Sequence, residues 1–438
     1  MVMKKKHRAL AVFLNSLLVG RLEKMTAHNL MFTYDETWLK TPGARPISLS
    51  LPLVSQPFSG DVVYHFFDNL LPDNPKIKSR IQARFHLATD HPFDLLEMIG
   101  KDCVGAIQLL DHPIAHARHK NKIQCHPLTT REIAAILQDT EDAPLGMTES
   151  DDFRISIAGA QEKCAFLYWN GKWNRPIGST PTTHIFKLPM GSLSHQHIDL
   201  SDSCENEWLC AQIAEAFGFP IAQSDIQHFS DTKALIVKRF DRMLSGDGKK
   251  ILRLPQEDMC QALGTSPHLK YQADGGPGIK NVMRLLLGSS DPTNDRALFF
   301  SAQILFWLLA AIDGHAKNFS IFIEPDGKYR LTPLYDILSA HPLIANKQLQ
   351  AKKIKMSMAL KGKNNRYHWY DVKRSYFLNA AKDANFSVET AEAILDTILN
   401  KVEFVIETVS RSIPKNFPKK ISRPIFDGIL LTKAKLVR

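Results

Sequence analysis

The 438-residue chain lacks the marks of metal-stapled, disulfide-knit or membrane-spanning proteins. Its six cysteines, Cys103, Cys125, Cys164, Cys204, Cys210 and Cys260, include no C-x-x-C pair and follow no regular spacing. That argues against a zinc site and a disulfide framework, and fits scattered thiols in a reducing compartment. Long hydrophobic runs are also missing. The longest, Ala297 to Ile312, is broken by Ser301 and Gln303, is too short to cross a bilayer, and reads as a buried core helix. The N-terminal Lys4–Arg8 cluster and the apolar Ala9–Leu14 imitate a signal peptide, but the run breaks at Asn15-Ser16 and no small-x-small cleavage site follows. Two strands joined by a tight turn fit these residues better. Repeats, low-complexity tracts and a G-x-G-x-x-G loop are absent as well. The expectation is a cytoplasmic protein with no membrane association.

What is present is ordinary in bulk and uneven in detail. Hydrophobic residues make up 44% and charged residues 23%, the composition of a globular protein, and the length allows two or three domains. The net charge of +10 is concentrated. From His341 onward there are 19 Lys+Arg and 8 Asp+Glu, against 36 and 37 in the preceding three-quarters. A neutral body with one basic segment points to a polyanionic partner for that segment, not to a generally nucleic-acid-coating protein.

Short apolar runs punctuated by Pro and Gly predict β-structure to about residue 60. A helical stretch follows from 61 to about 100, with Pro72, Pro75 and Pro92 at helix starts. Residues 104–125 read as further strands and Arg131–Leu137 as a short helix, with a domain boundary at 125–150. Residues 153–168 read as strand, loop, strand; His184–Leu188 and Leu235–Phe240 as strands; Glu205–Phe217 as a helix stopped by Gly218. From Asp258 the pattern is mainly helical, apart from a hairpin of 319–323 with 330–334 around Asp326-Gly327. The predicted class is α+β, in three parts: 1–125, 150–255 and 256–438.

The sharpest constellation is Asp313-Gly-His-Ala-Lys-Asn318 with Tyr335-Asp336. Phosphoryl transfer needs a carboxylate near the acceptor hydroxyl and oxygen ligands for Mg2+, and kinases supply Asp, then Asn five positions on, then a second Asp about twenty residues later. The same Asp and Asn fit an Asx turn closing the core helix, and Asp336 brings the two readings level. Lys187 lies on a short apolar strand, where a lysine can reach phosphates or simply face solvent from a sheet edge. Glu205 and Glu207 on the next helix are candidate partners for it. The small residues of Ser156-Ile-Ala-Gly-Ala-Gln-Glu-Lys163 allow close backbone approach to a phosphate, or form a plain turn. Asp274-Gly-Gly-Pro-Gly278 reads as an ordinary loop.

Taken in order, these segments resemble the HipA toxin kinases of bacterial HipBA-type toxin–antitoxin modules over nearly the whole length. The resemblance rests on Phe66–Asp73, Pro92–Leu96, Asp152–Lys163, Thr182–Pro189, Leu254–Gln261, Asp274–Ile279, Asp313–Ser320 and Leu334–Ile337. It implies a bilobal protein-kinase-like (PI3/4-kinase-like) fold: an N-terminal β-rich subdomain, a kinase N-lobe and a mainly helical C-terminal lobe. Asp313 is then the catalytic base, and Asn318 and Asp336 hold Mg2+. ATP is bound by Ala158, Gly159, Ala160, Gln161, Glu162 and Lys163 of the phosphate loop, by Lys187, by the backbone hinge Lys238, Arg239 and Phe240, and by His315 and Tyr335. Ser156 matches the autophosphorylation position, where a phosphate ejects the loop and inactivates the enzyme.

The resemblance further implies glutamyl-tRNA synthetase as substrate, with growth arrest as the outcome, and a HipB-like helix-turn-helix antitoxin as partner on operator DNA. Lys373, Arg374 and Lys382 are candidates for contact with the DNA backbone, against the reading of a solvated basic face. Tyr367, His368, Trp369 and Tyr370 read as core, not as base-stacking groups. Alternatives are a kinase for another aminoacyl-tRNA synthetase and a catalytically weak co-repressor.

Overall fold

The computed structural model describes residues 8–26, 29–111, 123–140, 144–147, 155–159, 161–193 and 198–437. The chain forms two compact units, each assembled from separated stretches. The first takes Met1–Leu188, His228–His268 and Ile321–Lys328; the second takes Pro189–Gln227, Leu269–Ser320 and Tyr329–Arg438.

In the first unit, β1 (Arg8–Leu14) and β2 (Leu17–Thr26) form the expected antiparallel pair. Asn15 and Ser16 turn the chain with φ of 45° and 73°, the left-handed conformation a two-residue hairpin needs. β3 (Asn29–Tyr34), β4 (Phe58–Ser59) and β5 (Ile107–Leu110) complete a sheet of order β4-β3-β2-β1-β5. Its apolar face is covered by α1 (Asp61–Asp68) and α3 (Pro92–Ile99), whose Phe66, Phe67, Leu95 and Leu96 join Phe32 in one core. Between those helices runs α2 (Pro75–Arg84), started by an Asn74 cap and Pro75 in its first turn. Pro72 does not start a helix: it bridges to Gly159, which pins the 155–159 segment instead.

A second sheet carries β6 (Cys125–Pro127), β7 (Lys163–Trp169), β8 (Lys172–Pro176), β9 (His184–Lys187) and β10 (Thr232–Lys238), adjacent in the order β10-β9-β7-β8-β6. α4 (Thr130–Gln138), closed at its start by a Thr129–Glu132 capping box, packs Ile133 and Leu137 against Phe166 and Phe186 of this sheet. The strand predicted before the 158–162 loop is absent from its described part. Residues 155–158 are irregular, because Ile155 and Ile157 are drawn into the core of the first sheet.

The second unit is mainly helical. α5 (Ser203–Phe217) ends at Gly218 with φ 97°, the predicted stop. α6 (Ile279–Leu285) leads to α7 (Pro292–Leu308), the buried helix expected from composition, with Asp291 capping and Pro292 in the first turn. The mainly helical pattern expected from Asp258 is interrupted by an unpredicted antiparallel hairpin, β11 (Lys355–Lys361) and β12 (Asn365–His368). Its end is fixed by reciprocal bonds: Trp307 Nε1 donates to the Trp369 carbonyl at 3.2 Å and Trp369 Nε1 to that of Trp307 at 2.7 Å. Trp369 is core, as expected, whereas Tyr370 is exposed. α8 (Arg374–Asp383), α9 (Val388–Ser412) and α10 (Lys419–Val437) follow, α9 burying Leu395, Leu399, Val402, Val405 and Val409 at helical spacing. Among the described residues no helix is long and apolar enough to cross a membrane. All six cysteines are free, five of them buried.

Candidate functional site

The residues singled out from the sequence fall into two groups, one in each unit. In the first unit, β9 is an interior strand between β10 and β7, so the edge-strand reading of Lys187 is excluded. Lys187 stands directly opposite Lys163 on β7 and opposite Leu235 on β10. Directly paired residues project from the same face of a sheet, with Cβ atoms roughly 5 Å apart. Two lysines, both under a tenth exposed, therefore share one site. Lys163 Nζ donates to the Ala158 carbonyl at 2.8 Å. Gly159 passes so close above it that an added Cβ would lie 2.4 Å from that nitrogen, and its φ of 111° also favours glycine. Paired cations under a glycine turn are a chemistry for a polyanion such as a phosphate chain.

The 155–159 segment is held by the first sheet's helices. The Ser156 hydroxyl is fully buried and donates to the Leu70 carbonyl at 2.7 Å. The Asp73 amide donates to the Gly159 carbonyl at 3.1 Å. Gln161 Nε2 reaches the Leu188 carbonyl at 2.6 Å, and Glu162 pairs with Arg80 of α2. Ala160 lies outside the described residues.

Lys238, Arg239 and Phe240 leave the end of β10. The Lys238 side chain is exposed. The Arg239 amide donates to the Thr183 carbonyl at 2.9 Å, so this N–H faces the neighbouring chain and not a ligand. The Arg239 guanidinium is buried in an ion cluster with Asp102 and Asp241, which sequence spacing did not suggest.

In the second unit α7 stops at Leu308, and Asp313 follows five residues later instead of directly. The Ser357 amide and hydroxyl both donate to the Ile312 carbonyl, at 3.1 and 2.7 Å, anchoring the loop. Gly314 packs on the Phe306 ring so tightly that a Cβ would fall 2.2 Å from it. Asp313 and Asp336 are exposed, while His315, Lys317 and Asn318 are buried. The His315 amide donates to Asn318 Oδ1 at 3.1 Å, and Asn318 Nδ2 donates to Asp336 Oδ2 at 3.2 Å. Asp336 itself has φ 60°. Below it, the Tyr335 hydroxyl donates to the Lys317 carbonyl at 2.7 Å and meets Ser320 Oγ at 2.6 Å. Two exposed carboxylates are thus carried on a buried, hydrogen-bonded frame, which is pre-organisation and not a loose Asx turn. Asn318 and Asp336 are in contact through the Asn318 amide nitrogen, with Asn318 Oδ1 turned to the His315 amide; both side chains carry oxygens of the type Mg2+ takes.

Tyr271 was missed from the sequence. Its hydroxyl donates to Asp313 Oδ1 at 2.7 Å and its ring meets His315 edge-on at 5.1 Å. Nothing in the Tyr271 neighbourhood signals this, since the contact spans 42 residues. Glu205 and Glu207 are buried on α5. In the basic tail, Lys373 and Lys382 are exposed, but Arg374 is engaged by Glu392 at 3.1 Å and Asp396 at 2.7 Å.

Residues 155–406 match the HipA-like C-terminal domain and residues 10–110 the HipA N-terminal domain. A Sinorhizobium fredii protein named "Putative kinase Y4mE" is 33% identical over 345 residues, 78% of this chain and 80% of its own length. The serine/threonine-protein kinase toxin HipA of Shewanella oneidensis is 29% identical over 349 residues, 76% of each chain. The solved structure of Shewanella oneidensis HipA, in complex with HipB and its operator DNA, superposes with a TM-score of 0.80 at 22% identity, covering 98% of this chain and 97% of that one.

Proposed function

The chain belongs to the HipA family of kinase toxins, and on that premise we propose that it transfers the γ-phosphoryl group of ATP, with Mg2+, to a serine of glutamyl-tRNA synthetase. Loss of tRNA charging then stops translation and growth. The observation that carries the reading is the Asn318–Asp336 hydrogen bond at 3.2 Å, five residues on from an exposed Asp313.

In this reading Asp313 accepts the proton of the attacking serine hydroxyl as the bond from the γ-phosphorus to the bridging oxygen of ADP breaks. Tyr271 donates its hydroxyl proton to Asp313 Oδ1 and so orients the carboxylate toward the acceptor. Asn318 and Asp336 would hold Mg2+, which when bound neutralises charge on the phosphate oxygens. Lys163 and Lys187 bind phosphate oxygens as paired point charges, and the glycine turn at Ala158-Gly159 offers backbone above them. The Lys238 carbonyl and the Phe240 backbone bind adenine, with the Arg239 amide committed elsewhere.

Ser156 is the proposed autophosphorylation site. A phosphate adds roughly two negative charges at a hydroxyl that is now fully buried, so the modified segment leaves its seat and the phosphate loop with it. The proposed partners are a HipB-like antitoxin and, through it, operator DNA, with Lys373 and Lys382 touching phosphates; the proposed location is the cytoplasm.

Incubation with labelled ATP, Mg2+ and glutamyl-tRNA synthetase tests the whole. Label is expected on the synthetase and on Ser156, and on neither with Asp313→Asn. Label on a different synthetase alone would replace the substrate, and no label on any protein would favour the co-repressor reading.

A further inference from the structure

A buried charge cluster of Asp102, Asp241, Arg239, Arg242 and Arg253 is built wholly within the first unit. Asp102, just beyond α3, is 1% exposed and accepts five hydrogen bonds. Its Oδ2 takes the Thr182 amide at 3.0 Å, the Thr182 hydroxyl at 2.9 Å and Arg239 Nη1 at 3.4 Å. Its Oδ1 takes Arg242 Nη2 and Arg253 Nε, both at 2.9 Å. Burial opposes its charge, yet Arg242, Arg253 and Arg239 together hold the carboxyl well below the usual range. Asp241 adds the second carboxylate, clasping Arg239 through both oxygens at 3.0 and 2.8 Å and taking the Gly105 amide at 2.7 Å.

The partners of Asp102 are not scattered. Thr182 precedes β9, the strand of Lys187. Arg239 and Arg242 both follow the end of β10, in the stretch where the proposed adenine hinge lies. One carboxylate therefore sets the register of the lysine strand and the hinge together. The main chain of the same residue faces the third element: the Asp102 carbonyl accepts the Ser156 amide at 3.0 Å.

Resting on the kinase reading above, we infer that Asp102 is a positioning residue for nucleotide binding, and that it is the joint through which the seating of the Ser156 segment reaches the hinge. With Ser156 seated, Asp102 is held on its carbonyl and carboxylate sides at once. When the segment leaves, the carbonyl loses its donor, and the clasp on Arg239 and Arg242 loosens with it. Inactivation at Ser156 then acts twice, by removing the phosphate loop and by loosening the adenine site.

The test measures ATP affinity by titration calorimetry, turnover at saturating ATP, and amide exchange of peptides covering 155–159 and 238–242 without nucleotide. Asp102→Asn keeps the shape and loses the charge. It is expected to raise exchange in both segments and weaken ATP binding about 10- to 100-fold, with turnover at saturation changed far less. Ser156→Asp is expected to raise exchange at 238–242 in the parent, and to add nothing in the Asp102→Asn background. If Asp102→Asn does not fold, Arg253→Gln removes one donor while sparing both segments, and the same changes are expected at smaller size. A folded Asp102→Asn or Arg253→Gln with parental exchange at both segments overturns the inference, as does a Ser156→Asp that leaves the hinge unchanged. A parent that binds no ATP defeats the kinase reading instead, and the exchange data still decide the coupling.

Discussion

Lys163 and Lys187 stand opposite each other on neighbouring interior strands, both buried, with Gly159 closing over the Lys163 ammonium. Two ammonium groups so placed can engage one phosphate chain as paired point charges. Replacing Lys187 by Met is expected to weaken ATP binding by about tenfold or more, the worth of one charged hydrogen bond. Gly159→Ala is expected to act in the same direction, because its Cβ displaces the Lys163 ammonium and its φ of 111° strains any L-residue. Calorimetric titration with ATP and Mg2+ reads both; parental affinity in the two variants would remove the pair from the nucleotide site.

Tyr271 offers a cleaner separation of chemistry from binding. It touches Asp313 and His315 within its own unit, and its hydroxyl is the group that bonds the carboxylate. Tyr271→Phe deletes that bond and little volume. Turnover is expected to fall about fivefold, in line with one net hydrogen bond, while ATP affinity stays as it was. A fall in affinity with unchanged turnover would place Tyr271 in the pocket instead.

Glu257 makes the stability of the chain pH-dependent. It is fully buried in the first unit, with Oε1 accepting the Leu49 amide at 2.8 Å. Burial, reinforced by Asp258, pushes its carboxyl up to about 8 from an ordinary 4.5. Across that window the folded chain keeps a proton the unfolded chain has released. The stability present at low pH is therefore lost as pH rises through about 8, by up to about 1.4 kcal/mol per pH unit for one group. Glu257→Gln is expected to flatten the decline of the urea midpoint between pH 5 and 8 and to exceed the parent at pH 8. An identical slope in both proteins would show that Glu257 does not carry it.

What the sequence revealed and what it hid divide along the range of the interactions. The Asn15-Ser16 turn, the Gly218 stop, the short helix α4 and the burial of α7 are set by near neighbours, and each is read from a few residues. The spacing of Asp313, Asn318 and Asp336 was legible because a loop and a short return of chain carry all three. The Lys163–Lys187 pair depends on register between strands, and Asp102 gathers arginines 137 to 151 positions away. No local pattern encodes either. The β11–β12 hairpin escaped for another reason: β11 has a lysine at each end and β12 reads Asn-Arg-Tyr-His, so neither looks like a strand locally, and the bonds that fix its end join Trp369 to Trp307, 62 residues away. Pro72 misled because proline marks a helix start and a bridged turn equally well.

The basic tail yields a prediction that separates its own members. Lys373 and Lys382 are exposed on and beside α8, whereas Arg374 between them is drawn to Glu392 and Asp396 of α9. An arginine paired with two carboxylates has little charge left for a phosphate, and its removal should be felt between α8 and α9. Each lysine that neutralises one phosphate of duplex DNA adds about 0.9 to the slope of log affinity against log salt. In a complex with a HipB-like antitoxin on operator DNA, the Lys373→Ala, Lys382→Ala double variant should therefore reduce that slope by about two. Arg374→Gln should leave the slope nearly as it was and lower the unfolding temperature instead. Fluorescence anisotropy across a salt series, with thermal unfolding of the same proteins, distinguishes the roles. A slope lowered by Arg374→Gln and untouched by the lysine pair would reverse the assignment, and would mean that the ion pairs with α9 open when the DNA arrives.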